Sequence, residues 1–158
     1  MALAGLVARV VGCASFVEDL NIDPNQFTDI STSLLVNHAV LNVASIQEAE
    51  PARIAGMWTD QFTGSDRQYI TQDNYGVDDS DFDATWNELY RDGLSPARGA
   101  KLKAAAEGAT GFEGIATIME GYYAAEAALL FGDVPFSEAD NVTDVPDPPY
   151  DGQTSVIT

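Results

Sequence analysis

The stretch Thr110 to Ala139, TGFEGIATIMEGYYAAEAALLFGDVPFSEA, decides how the rest of the chain is read. Phe112, Ile115, Ala116, Met119, Tyr122, Tyr123, Ala127 and Leu130 recur at steps of three and four, the spacing of one face of an α-helix. Thr110 and Glu113 stand three apart, so a capping box is predicted where that helix starts. Gly132 follows the last periodic residue, where a left-handed residue commonly ends a helix. Asp133 to Ser137, with Pro135 at the centre, then leave as a sharp loop.

Working outward, each flanking segment is also helical in pattern. Ser31 can cap a helix reaching about Glu48, with Leu35, Ala39, Val43 and Ile46 inward and Val36, Val40 and Leu41 widening the apolar arc. Pro51 suits the first turn of a second helix, which carries Ile54, Trp58 and Phe62 on one face and ends at Gly64. Residues 65–80, SDRQYITQDNYGVDDS, read as a long polar loop, and loops of that length are often functional. Ser80 and Asp83 resemble another capping box, before a helix lined by Phe82, Trp86, Leu89 and Tyr90. Gly93 and Pro96 are expected to break that helix, and Ser95 to cap a new one reaching about Glu107. No period-two strand stands out, so the fold class is all-α, built from antiparallel helical hairpins.

The ends carry different signals. Val10-Val11-Gly12-Cys13 fits a lipoprotein cleavage box, in which Cys13 is acylated and becomes the new N-terminus. Residues 1–13 then read as the remnant of a lipoprotein signal, 14–30 as a polar tether and entry loop, and 31–158 as the helical domain. At the other end Asp151 can cap an apolar pattern running from Gln153 to Ile157. A helix of less than two turns does not hold itself in water, so the domain reads as incomplete. No run approaches the roughly 20 apolar residues of a spanning helix.

Charge excludes several classes of function. The 158 residues hold 25 acidic and seven basic side chains, a net charge of −18, with lysine only at Lys101 and Lys103. A chain so acidic is repelled by phosphate backbones and by anionic lipid surfaces, which argues against nucleic acid as a partner. The single cysteine permits no internal disulfide.

Phe131-Gly132-Asp133-Val134-Pro135-Phe136-Ser137-Glu138-Ala139, a spacer, and Pro149-Tyr150-Asp151-x-Gln153 together resemble the N-terminal part of SusD/RagB-type nutrient-binding outer-membrane lipoproteins. Asp23-Pro24-Asn25, the run WTDQFTG at Trp58–Gly64 and Trp86-Asn87-Glu88-Leu89-Tyr90 fall in the matching order. The resemblance implies tetratricopeptide-like helical packing and a lipid-anchored protein on the outer surface of the outer membrane. It further implies capture of glycans or other nutrients for a SusC-type TonB-dependent transporter, with no cofactor and no catalysis. A helical interaction scaffold without a small ligand is the alternative.

The residues themselves give little for catalysis. His38 is the only histidine, which leaves no histidine cluster for zinc and no Glu-x-x-His pairs for a di-iron bundle. It shares a face with Leu34 and Leu41 and reads as a structural or surface residue. Asp73 to Asp83 invite a Ca²⁺ reading, but an EF-hand counted from Asp79 lacks its sixth-position glycine and has Tyr90 in place of the bidentate glutamate. An irregular Ca²⁺ site stays open without motif support, and no metal ligand is assigned. The candidate ligand-binding residues are Trp58, Gln61, Arg67, Tyr69 and Tyr75, because aromatic rings beside amide and guanidinium donors suit the apolar faces and hydroxyl rims of sugars. Against this, Trp58 and Trp86 have the spacing of core residues.

Overall fold

Ser31 opens the first helix as its sequence predicts, its hydroxyl accepting from the Leu34 amide. The computed structural model describes residues 29–141 and 143–158, and Ser31–Thr158 form one of the two units into which the chain divides. The proposed anchor Cys13 and most of the 14–30 tether lie outside the described residues. The described elements are α1 (Thr32–Glu48), α2 (Glu50–Trp58), α3 (Gln68–Asp73), a 3₁₀ turn (Asp79–Phe82), α4 (Asp83–Asn87), a π-helical segment (Glu88–Leu94), α5 (Ser95–Glu107), α6 (Thr110–Phe131) and α7 (Gln153–Ile157). No strand occurs among the described residues, so the all-α reading stands.

The predicted break at Gly93 and Pro96 does not occur. Helical backbone continues from α4 through the π segment into α5, with Leu94 and Ser95 both in the right-handed helical region. Proline lacks a donor, and its ring crowds the carbonyl four residues back in an α-helix. The π turn relieves this by widening: the Ser95 amide bonds the Tyr90 carbonyl, five residues back, just before Pro96. Asn42 of α1 donates to the Glu88 carbonyl at the start of the widened turn, at 3.0 Å. Gly93 is there for space rather than for a break. A Cβ on it would lie 2.5 Å from two ring carbons of Tyr123.

α5 and α6 form a hairpin around Gly108, whose φ of 69° and ψ of 21° are the left-handed cap that glycine adopts freely. The buried residues of α5 are all small, Ala97, Ala100 and Ala104, and α6 buries Ala116, Ala124, Ala127 and Ala128 beside Glu120 and Tyr123. The inward face of α6 is therefore rotated from the predicted stripe. Ala116, Tyr123 and Ala127 are inside as expected, but Phe112, Ile115 and Leu130 are exposed. Alanine lets helices approach closely, and at this contact that outweighs burying the larger side chains. Ala109, not Thr110, is the α6 N-cap, and it makes no side-chain cap bond, so the Thr110–Glu113 box is absent. Gly132 does end the helix at positive φ, 84°.

α1 packs Ala39 and Ile46 into the main core with Leu89, Leu94 and Tyr123, while Val36 meets Ala100 and Ala116. Each large apolar chain buried there contributes about 1.5–3 kcal/mol relative to exposure. Val40 and Leu41 are exposed, so α1 is covered on one side only, and His38 sits on the open side with Leu34 and Leu41. The Tyr123 hydroxyl donates to the Ala39 carbonyl, and burial raises that phenol's pKa to about 12.

The loop after α6 is held by two acidic residues in complementary roles. Val134 and Asp151 exchange both backbone bonds, at 3.1 and 2.9 Å. The Asp151 carboxylate accepts from the amides of Phe136 and Ser137 and from the Ser137 hydroxyl, rather than capping α7 as predicted. The α7 cap is Gly152, and it is Asp133 that accepts from the Gln153 amide, at 2.8 Å. The Gln153 side chain returns to the Ala128 carbonyl in the last turn of α6. The two sequence runs that carry the family resemblance are thus one structural unit.

Candidate functional site

α2 stops at Trp58, earlier than Gly64, because the chain turns at Asp60 (φ 57°) and folds the Phe62 ring back over Gly56. Nor is the segment 65–80 unstructured: α3 occupies Gln68–Asp73 and the 3₁₀ turn begins at Asp79. The capping box lies on Asp78 and Asp81 instead of Ser80 and Asp83, with the Asp78 amide donating to Asp81 Oδ2 and the Ser80 amide to Asp78 Oδ1. The Ser80 hydroxyl and amide, both donating to Asp78, hold that carboxyl below its usual range. Those bonds account for Asp78 and Asp81 of the acidic run as turn and cap groups.

Trp58 and Tyr75 are brought together. Trp58 Nε1 donates to the Gln72 carbonyl at 2.8 Å, and the Tyr75 amide donates to the same oxygen at 3.0 Å. The two rings lie with centroids 5.2 Å apart and planes tilted by 33°. Tyr75 reaches this position at φ 59°, a conformation that costs a non-glycine residue energy and is sustained by its surroundings. Trp58 is 36% exposed and Tyr75 66%, so this pair forms a surface platform and not a core contact. Trp58 also borders a largely apolar groove of about 550 Å³ with Ile54, Phe82, Leu130 and Phe131.

The other three predicted residues each have partners of their own. Tyr69 is half-buried beneath the Arg53 guanidinium, 5.2 Å above its ring, beside a separate recess of about 270 Å³. Gln61 donates to the Thr59 carbonyl of its own turn. Arg67 is exposed at φ 53° and is only loosely paired with Asp66, at 3.9 Å. Trp86 differs from Trp58: it packs against the main core and meets Tyr90 and Phe131 at 4.6 and 5.1 Å. Sequence spacing put both tryptophans in the same class because it does not register which helix face has a neighbour.

One buried amide escaped the sequence reading. Gln72 is 3% exposed, and its Nε2 lies 3.5 Å from Glu50 Oε1 and 3.4 Å from Asp81 Oδ1. Its only sequence signal is its place four residues after Gln68 on a short helix, which is no signal of burial. Among the described residues no three of His, Cys, Asp and Glu converge on a point that could hold a metal ion.

The fold is thus an all-helical scaffold that presents an aromatic pair on a structured surface loop. A SusD-like family model, described as starch-binding and associating with the outer membrane, matches residues 24–158. The chain belongs to this SusD-like family. No curated protein and no solved structure matches it. No described helix is long and apolar enough to cross a membrane.

Proposed function

We propose that this protein captures glycans or other nutrients at the cell surface and hands them to a SusC-type TonB-dependent outer-membrane transporter, making and breaking no bond. The observation that carries the reading is the exposed Trp58–Tyr75 pair, held in place by one backbone oxygen in a chain of a starch-binding family. A sugar ring has apolar CH faces, and a fixed aromatic surface meets such a face at low entropic cost. The abundant surface carboxylates supply hydroxyl acceptors. Lipid anchoring at Cys13 would keep the site at the membrane, with more than one acyl chain needed for stable attachment. Tetratricopeptide-like repeats would present the loop on a stiff frame.

The test is calorimetric titration of the full-length protein with maltooligosaccharides and with unrelated glycans, alongside lipid labelling of wild type and Cys13→Ser. Saturable binding of a glycan and labelling lost in Cys13→Ser support the reading. No binding to any glycan removes it. The interaction-scaffold alternative rests on a different observation, the exposed Phe112, Ile115, Ile118, Leu129 and Leu130 of α6. Exposed apolar side chains near both ends of one helix suit a contact with another protein. It predicts a bound protein and no sugar heat.

A further inference from the structure

Gln72 belongs to neither ring of the platform, yet both depend on it. Its backbone carbonyl takes the Trp58 indole N–H and the Tyr75 amide. Its side-chain amide, buried to 3% exposure, stands between Glu50 in the first turn of α2 and Asp81 in the 3₁₀ turn. Residues 74–77, the short loop that carries Tyr75, leave the end of α3 and arrive at the Asp78–Asp81 box. The contact from Gln72 to Asp81 therefore closes that loop at its base. Asp81 is itself fixed, because its other oxygen accepts from the Asp78 amide at 2.8 Å. Inside the loop, the Gly76 amide bonds the Thr71 carbonyl at 2.8 Å, which keeps the turn tight around Tyr75.

From this geometry we infer that Gln72 is a positioning residue for ligand binding. It sets the spacing and tilt of Trp58 and Tyr75 without touching the ligand. The inference rests on the glycan-platform reading above. Holding Tyr75 at positive φ requires that its surroundings over-determine it, and the buried amide is the part of those surroundings that joins three elements. Replacing it by a residue of similar size without donors leaves the fold its buried volume but frees the loop. The cost of reordering Tyr75 then appears at the moment of binding.

The experiment is a double-mutant cycle on the full-length protein, with maltooligosaccharide affinity and melting temperature measured together. Gln72→Leu is expected to weaken binding about 5- to 10-fold through lost preorganisation, and Asp81→Ala, which opens the same contact from its other side, to do likewise. In a Tyr75→Ala background Gln72→Leu should add less than about twofold, because the two residues act as one unit. Wild-type affinity in Gln72→Leu overturns the inference and leaves the platform reading standing. An equal loss with or without Tyr75 also overturns it, since the effect is then general destabilisation. If Tyr75→Ala alone binds as wild type, the platform reading falls and the inference with it.

Discussion

Arg98 Nε donates to Glu120 Oε1 at 2.8 Å across the α5–α6 contact, with both side chains largely withdrawn from solvent. The same guanidinium spreads further: Nη1 to the Ala139 carbonyl at 2.6 Å, Nη2 to the Phe136 carbonyl at 2.5 Å, and its plane over the Phe136 ring at 4.8 Å. Lys101 bonds the second oxygen of Glu120. One arginine thus ties the helical hairpin to the loop after α6. Its planar fork serves this where a lysine would not. Arg98→Met should destabilise the domain by about 1.5–3 kcal/mol, because a largely buried carboxylate then keeps only Lys101 and two loop carbonyls lose their donor. Pairing it with Glu120→Leu should recover part of the loss. Urea unfolding of the single and double variants checks this, and a single variant within error of wild type would contradict it.

Gly93→Ala should also be costly. The added Cβ would meet the Tyr123 ring at 2.5 Å, and Tyr123 is 1% exposed with its hydroxyl bound to the Ala39 carbonyl. Neither the ring nor the π turn has space to yield. An overpacking cost of about 1–3 kcal/mol is expected, although alanine is the better helix former. Gly99→Ala is the control, since nothing lies within 4 Å of its Cβ position. It should be neutral or slightly stabilising in the same thermal melt.

These two cases show where the sequence was legible and where it was not. Apolar periodicity reveals the long helices but not the short α3 inside the predicted 65–80 loop, and Ser31 and Gly132 mark their helix ends correctly. The inward face of α6 was not clear, because a periodicity of large residues cannot anticipate an interface built from alanines. Gly93 and Pro96 carried the usual marks of a helix end, and only the tertiary fit to Tyr123 together with the π turn explains their presence inside one. At the site, the chemistry of Trp58 and Tyr75 marks both rings, although they are well separated in the chain. Gln61, Arg67 and Tyr69 were nominated on chemistry alone, and chemistry does not say which neighbour a side chain will use first. Gln72 was invisible because a polar residue on a six-residue helix gives no sign of burial.

Acid should loosen the molecule before it unfolds. Burial raises the Glu120 pKa, but the bonds from Lys101 and Arg98 outweigh it and leave the carboxyl below its ordinary 4.5. The amides of Ser137 and Phe136 and the Ser137 hydroxyl hold Asp151 below 3.8. A depressed folded pKa contributes stability above the unfolded value and loses it as pH falls through the folded one. Melting temperature should therefore drop below about pH 4, and less steeply in Asp151→Asn. At the other end, burial raises Tyr90 and Tyr123 to about 12 from 10.0. An unfolded chain releases those protons first, so stability present below pH 10 should decline between about 10 and 12. A pH series of thermal melts tests both limits. A melting temperature flat from pH 3 to 6 would contradict the acid limb.

The two tryptophans and Tyr75 should separate binding from stability. Tyr75 is 66% exposed and packs chiefly on Trp58, so Tyr75→Ala removes little buried surface. It should leave the melting temperature nearly unchanged and weaken glycan binding on the order of tenfold, the effect of losing one stacking ring. Trp86 is half-buried against the core with Tyr90 and Phe131, so Trp86→Ala should cost about 3 kcal/mol with no loss of glycan affinity. Trp58 stands between the two. Its ring is partly exposed, but its Nε1–H is spent on the Gln72 carbonyl and one edge borders the apolar groove. Trp58→Ala should therefore lose both affinity and roughly 1–3 kcal/mol of stability, less than a buried tryptophan costs. Trp58→Phe keeps an aromatic ring but no donor, and should bind more tightly than Trp58→Ala yet less tightly than wild type. Calorimetric titration of the four variants beside their thermal melts decides it. If Tyr75→Ala binds as wild type, the sugar is held elsewhere and this pair serves only to finish α2.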